Sequence, residues 1–172
     1  MRKIAVIPLR KGSKSIIGKN KRKMVGRPLF TWVLKEAIFS NLDEVYVFTD
    51  DIEIKSFVEK QYKWTKKVKA MLRSEDNAND TASTENALIE FNEKINYDFD
   101  ILCLLQATSP LTTYQDINKS LYAIQNDNYD SSITVVNTHR FTWNNDGKPL
   151  NYNLFKRPRR QDFEGLLIEN ID

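Results

Sequence analysis

Four short runs rich in apolar and β-branched residues, separated by stretches of helical periodicity, constrain the fold more than any other feature. "KIAVIPL" (3–9), "EVYVFTDD" (44–51), "KVKAML" (67–72) and "DILCLLQ" (100–106) each read as a strand. Near-continuous apolar runs of this length suit strands buried on both faces. Between them, "RPLFTWVLKEAIFS" (27–40) places Leu29, Trp32, Val33, Ala37 and Ser40 on one helical face, with Pro28 suited to the first turn. "DIEIKSFVEKQY" (51–62) turns Ile54, Phe57 and Val58 inward. "NDTASTENALIEFNEKI" (79–95) offers a helix start at Ser83 or Thr84 and an apolar face of Leu88, Phe91 and Ile95. "TTYQDINKSLYAIQN" (112–126) reads as a further helix and "SSITVVNT" (131–138) as a fifth strand. Strands alternating with helices over short loops imply a three-layer α/β sandwich with a mostly parallel sheet, in which "DILCLLQ" is the expected central strand.

A chain of 172 residues that is 41% hydrophobic can bury one sizeable core. Residues 1–138 read as that core. Residues 139–172 are polar, basic and turn-rich, and read as an arm leaving the same domain. The single cysteine, Cys103, lies inside an apolar run and reads as a small core residue. The first strand begins without a signal-type apolar segment, and no run approaches membrane-spanning length. A soluble, cytoplasmic protein is the expectation.

Charge is unevenly placed. The first 27 residues hold ten of the 26 basic side chains and none of the 23 acidic ones; the rest therefore carries 16 basic and 23 acidic, a net of −7. A second knot, "KRPRR", lies at 156–160. Local positive potential in an otherwise acidic chain suggests a focused anion site, with a solvated basic face as the plain alternative. A nucleic-acid surface fits less well, because the clusters lack aromatic interleaving. The loop "PLRKGSKSIIGKN" (8–20) follows the first strand, where open α/β sheets bind ligands. It is not a P-loop: five residues separate Gly12 from Gly18, and Asn20 follows Lys19 where a hydroxyl would be needed.

Several stretches, in order along the chain, resemble the acylneuraminate cytidylyltransferases (CMP-sialic acid synthetases) and relatives acting on other nonulosonic acids. These are Arg10, Ser13, Lys14, Lys19 and Asn20 in the basic loop; Gly26, Pro28 and Leu29 at the first helix; Thr49-Asp50; Arg73 with Asp80-Thr81-Ala82-Ser83; "LLQATSPLTT" (104–113); and Arg159 to Asp162 followed by Glu169-Asn170. The resemblance implies a Rossmann-like nucleotidyltransferase fold. It implies transfer of CMP from CTP to a nonulosonic acid with release of pyrophosphate, assisted by Mg²⁺ or Mn²⁺, in a homodimer whose arm crosses to the partner. It assigns Arg10, Lys14 and Lys19 to charge neutralisation during catalysis. It gives the nucleotide to these three with Ser13, Asn20, Arg73 and Ser83. It gives the acidic sugar to Gln106, Arg160, Gln161 and Asn170.

Read from residue type alone, Ser83 is a helix cap, Gln106 a strand-end amide, Arg160 and Gln161 part of an exposed arm, and Asp50 a structural cap. His139 and Trp32, Trp64 and Trp143 read as structural. The pattern departs from the family at Ala107, where a Pro is usual, and at Thr112, where an Arg is usual. It ends at "ENID", before the portion that in the family supplies further strands, an Asp-x-Asp metal site and a closing helix. The metal ligands are therefore unassigned. Two expectations follow: a CMP-sugar synthetase, possibly truncated, or an impaired or truncated homologue that only binds nucleotide or serves a structural role.

Overall fold

The computed structural model describes residues 1–13, 16–78, 83–127 and 129–169. The chain forms two compact units, Met1–Asp130 and a second that begins at Ser131.

The first unit is built on strand β1, Lys3–Leu9. It pairs in parallel with β4 (Glu44–Thr49) on one side and β6 (Ile101–Leu104) on the other, and β5 (Val68–Leu72) pairs in parallel outside β4. The order is β5-β4-β1-β6. Side chains of β1 alternate between two cores, as the two-residue period of a strand requires. Ala5, Ile7 and Leu9 join Val45 and Val47 beneath three helices: α1 (Phe30–Phe39), α2 (Ile52–Gln61) and α4 (Tyr114–Asn126). Ile4 and Val6 join Tyr46 and Phe48 beneath α3 (Thr84–Lys94) on the opposite face. Helices on both faces of a parallel sheet give the three layers expected.

Helix starts follow local chemistry. The Asp51 carboxylate accepts from the amides of Glu53 and Ile54 at the start of α2. The Ser83 hydroxyl caps α3, and Thr113 with Asp116 makes a reciprocal capping box on α4. The first helix departs from expectation. Arg27 and Pro28 form β3, paired with β2 (Lys23–Met24) across a two-residue turn. Val25 and Gly26 both have positive φ, 50° and 86°, the form that joins antiparallel strands without splaying them. The helix begins only at Phe30, so its buried face carries Phe30, Val33, Leu34 and Ala37. Trp32 is half-buried, with the Arg27 guanidinium 3.6 Å over its ring, and Trp64 is exposed rather than packed.

Two further expectations are corrected. The run containing β6 lies at the edge of the four-stranded sheet, and β1 and β4 are its central strands. The expected fifth strand is shorter, Val135–Thr138 (β7), and pairs antiparallel with β8 (Leu166–Glu169) in a separate two-stranded sheet of the second unit. Gly165, at φ 84°, enters β8 where an added Cβ would meet Asn137 Oδ1 at 2.6 Å, so the close approach requires glycine. The segment between β7 and β8 is less purely polar than its sequence suggests. Phe141 stacks near Tyr152 and Phe163, with ring centroids 4.6 and 5.3 Å away, and the Arg157 guanidinium lies 4.5 Å over Phe141.

At the amino ends of the strands, Glu44 gathers Arg2 (2.5 Å), Lys69 and the Tyr46 hydroxyl (2.7 Å). Burial opposes ionisation of Glu44, but hydrogen bonds from Lys69, Arg2 and Tyr46 outweigh it and hold its pKa at about 2, against a usual 4.5. A carboxylate with a depressed folded-state pKa contributes stability above its unfolded pKa and loses it as pH falls towards the folded value. The melting-temperature gap between the parent and Glu44→Gln should therefore be widest near neutrality and close between about pH 4.5 and 2; a gap constant across that range would remove Glu44 from the acid response. On the α3 face, Phe91 is fully buried between Tyr46 and Phe48, at 5.1 and 5.6 Å between ring centroids. Urea denaturation should show Phe91→Ala destabilised by roughly 3–5 kcal/mol.

Candidate functional site

The strand order reverses beside β1. The chain steps outward from β1 to β4 and β5, then returns through α3 to lay β6 against the other side of β1. A crevice at the carboxyl ends of strands at such a reversal is the usual ligand position in open α/β sheets. Here it holds a cavity of about 310 Å³.

One wall is the basic loop after β1. The loop is pinned to the carboxyl end of β4 by two acids: Asp50 Oδ1 accepts from the Lys11 amide at 2.7 Å, and Asp51 Oδ2 lies 3.0 Å from Lys21 Nζ. Lys21 also reaches Glu53 at 2.7 Å, and the bonds to Glu53 and then Asp51 raise its pKa. Burial opposes the charge on Asp51, yet the Lys21 ammonium and the Glu53 amide hold its carboxyl below the usual range. Asn20, nearly buried, donates from Nδ2 to the Arg10 carbonyl at 3.0 Å and closes the loop across its base. Gly18, at φ 64°, makes the left-handed turn into Lys19–Lys21. The two lysines therefore differ. Lys21 is engaged by two carboxylates, whereas Lys19 lines the cavity.

Arg73 follows β5, with its amide donating to the Thr49 carbonyl at 3.0 Å and its guanidinium to the Asn77 carbonyl. Burial pulls the Arg73 pKa down, partly offset by Asp50 and Glu90. Opposite, Ser83 opens α3 and its hydroxyl accepts from the Asn86 amide at 3.2 Å, so its capping role is seen directly. The amino end of this helix carries partial positive charge towards the cavity. Beyond β6, the Leu105 amide continues the ladder to the Val6 carbonyl at 3.0 Å, and this places Gln106 at the rim.

The cavity thus brings together Arg10, Ser13, Lys19, Asn20, Arg73, Ser83 and Gln106 from four separate stretches of sequence. Lys14 and Asn170 lie outside the described residues, as do Asp80, Thr81 and Ala82. Arg160 and Gln161 sit in the second unit, exposed on a single 3-10 turn that is braced by the 2.7 Å contact of Arg159 with Asp162. Ala87, Thr108 and the buried Ala107, to which the sequence reading gave no binding role, also line the cavity. Strand-end position marks the stretch that holds Ala107 and Thr108, but only Gln106 within it stood out by residue type. Asp50 anchors the basic loop, and the capping role falls to its neighbour Asp51. No carboxylate is among the described residues lining the cavity. Three cations and one helix terminus are chemistry suited to a polyanion. Among the described residues no group of three or more His, Cys, Asp or Glu could hold a metal ion.

N-acylneuraminate cytidylyltransferase B of Danio rerio is 37% identical over 173 residues, covering 96% of this chain and 40% of that protein. The pseudaminic acid cytidylyltransferase of Campylobacter jejuni subsp. jejuni serotype O:2 is 37% identical over 126 residues, covering 71% of this chain and 52% of that protein. The solved structure of CMP:2-keto-3-deoxy-manno-octonic acid synthetase complexed with CTP matches at TM-score 0.63 and 27% identity, over 80% of this chain and 52% of that one. The chain thus spans about 40% to 52% of the length of these relatives. The family model described as cytidylyltransferase matches residues 4–170, from the second residue of β1 past the end of β8, and the chain belongs to that family.

Proposed function

We propose that the chain binds CTP as the nucleotide core of a cytidylyltransferase that activates a nonulosonic, sialic-type acid. The observation that carries this reading is the cavity at the ends of β1 and β6, lined by Arg10, Lys19 and Arg73. In the reaction proposed, the anomeric hydroxyl of the sugar acid attacks the α-phosphorus of CTP. The bond from that phosphorus to the oxygen bridging to the β-phosphate breaks, and pyrophosphate leaves. Negative charge builds on phosphate oxygens, so positioning and neutralisation supply most of the catalysis. Arg10 and Lys19 take that role, with Lys14 of the same loop. Ser13, Arg73 and Ser83 hold the nucleotide, and Asn20 keeps the loop in the shape that fits it. A divalent cation, Mg²⁺ or Mn²⁺, would shield the triphosphate.

Gln106 is assigned to the sugar acid or the cytidine. Arg160 and Gln161, with Asn170, are assigned to the sugar carboxylate, which suits a bidentate guanidinium. Proposed partners are CTP, an acidic nine-carbon sugar and a second copy of the chain, in the cytoplasm. No helix among the described residues is long and apolar enough to cross a membrane. Self-association draws support from exposed Phe155, Leu154 and Trp143 in the second unit. Light scattering at increasing concentration should report a dimer, and a monomer throughout would overturn that part.

Calorimetric titration tests the nucleotide assignment. Lys19→Ala should weaken CTP about ten- to a hundredfold, as expected for a lost charge-assisted contact, and CMP much less. Lys23, exposed on β2, should tolerate alanine with little change. Asn20→Ala should weaken CTP in a way that resists added salt, because the loss is one of loop geometry. If Lys19→Ala and Lys23→Ala behave alike and both effects fade with salt, the loop is only a basic face.

A further inference from the structure

Glu90 is the one acidic side chain of α3 that is buried, 9% exposed, and the proposed reaction makes no use of it. It is fully engaged. Its Oε1 accepts from the Ser74 amide at 2.7 Å, and its Oε2 accepts from the Ser74 hydroxyl at 2.8 Å and from Asn77 Nδ2 at 2.9 Å. Lys94, one turn along the helix, lies 3.5 Å from Oε1. Three hydrogen bonds to one short loop exceed what helix stability asks of a surface glutamate. They tie the segment just after Arg73 to the helix that forms another wall of the cavity.

The connection continues to Arg73 itself. Asn77, held by Glu90 through its side chain, presents its backbone carbonyl to the Arg73 guanidinium. Arg73 Nε is buried and has no hydrogen-bond partner among the described residues, so the Asn77 carbonyl bears much of the work of orienting the side chain. A long arginine loses considerable rotamer freedom when fixed, and an unfixed one binds an anion less well for the same contacts. From these contacts we infer that Glu90 is a positioning residue for nucleotide binding: through Asn77 it holds Arg73 in the orientation that meets the ligand.

The inference rests on the CTP-site reading above, and a double-mutant cycle separates the two. CTP affinity is measured by calorimetry for the parent, Arg73→Ala, Glu90→Gln and the double variant, with melting temperatures recorded for each. Glu90→Gln keeps the shape but places an amide donor against the donors of Ser74 and Asn77. It should weaken CTP about tenfold in the parent and less than about twofold in the Arg73→Ala background, because residues acting as a unit are not additive. Asn77→Ala breaks the same connection while leaving the buried carboxylate its two bonds from Ser74. It should show the same dependence on Arg73, and it serves in place of Glu90→Gln if that variant fails to fold. Equal losses with and without Arg73 would reduce Glu90 to a stabilising contact and overturn the inference while leaving the CTP site intact. A parent protein that does not bind CTP would overturn both.

Discussion

Everything functional in the first unit hangs from β1. It is paired on both sides and buried on both faces, with Ile4, Ala5, Val6 and Ile7 fully shielded from solvent. That strand fixes where the basic loop leaves the sheet and where β6 delivers Gln106. Because β4 and β6 take their register from it, the cavity walls are set relative to one another by backbone hydrogen bonds. Loops positioned by a rigid sheet can hold polar side chains at the spacing a ligand demands.

The cavity divides like-charged residues by role. Lys21 is consumed in holding the loop against Asp51 and Glu53, and Arg27 lies on the face of Trp32. Arg10, Lys19 and Arg73 meet at the cavity with no described carboxylate among them. Acidic residues are present close by, but they sit behind the wall. Asp50 and Asp51 hold the loop, and Glu90 holds the segment after Arg73. Acidic side chains thus hold the segments that carry the cations.

Much of this was legible in the sequence, and the gaps have physical causes. Strand β1, helix α2 and the Ser83 cap follow directly from apolar spacing and capping chemistry. The position of β6 did not, because side-chain pattern reports burial by helices on either face and says nothing of lateral hydrogen bonding. An edge strand covered by helices is as apolar as a central one. The face of α1 was misplaced by the hairpin that takes Arg27 and Pro28, since the start of a helix sets the phase of its buried residues. Lys19 and Lys21 are indistinguishable as letters, and only the fold brings carboxylates to one of them. Glu90 was hidden because a glutamate in the middle of an amphipathic helix reads as solvated.

The β2–β3 turn has a further consequence. Val25 is a β-branched residue at φ 50°, where such side chains are crowded, and it is 83% exposed, so no burial compensates. The local sequence therefore disfavours the conformation it adopts. The shape is imposed from outside, by the Trp32 indole donating to the Met24 carbonyl at 3.0 Å and the Leu29 amide donating to the Arg22 carbonyl at 2.9 Å. This makes the hairpin a point of local frustration, directly downstream of the anion loop. A segment whose own preference opposes its folded shape stores free energy that is released when its external ties loosen. The connection between the loop and the first helix thus owes its shape to its tertiary ties rather than to its own preference.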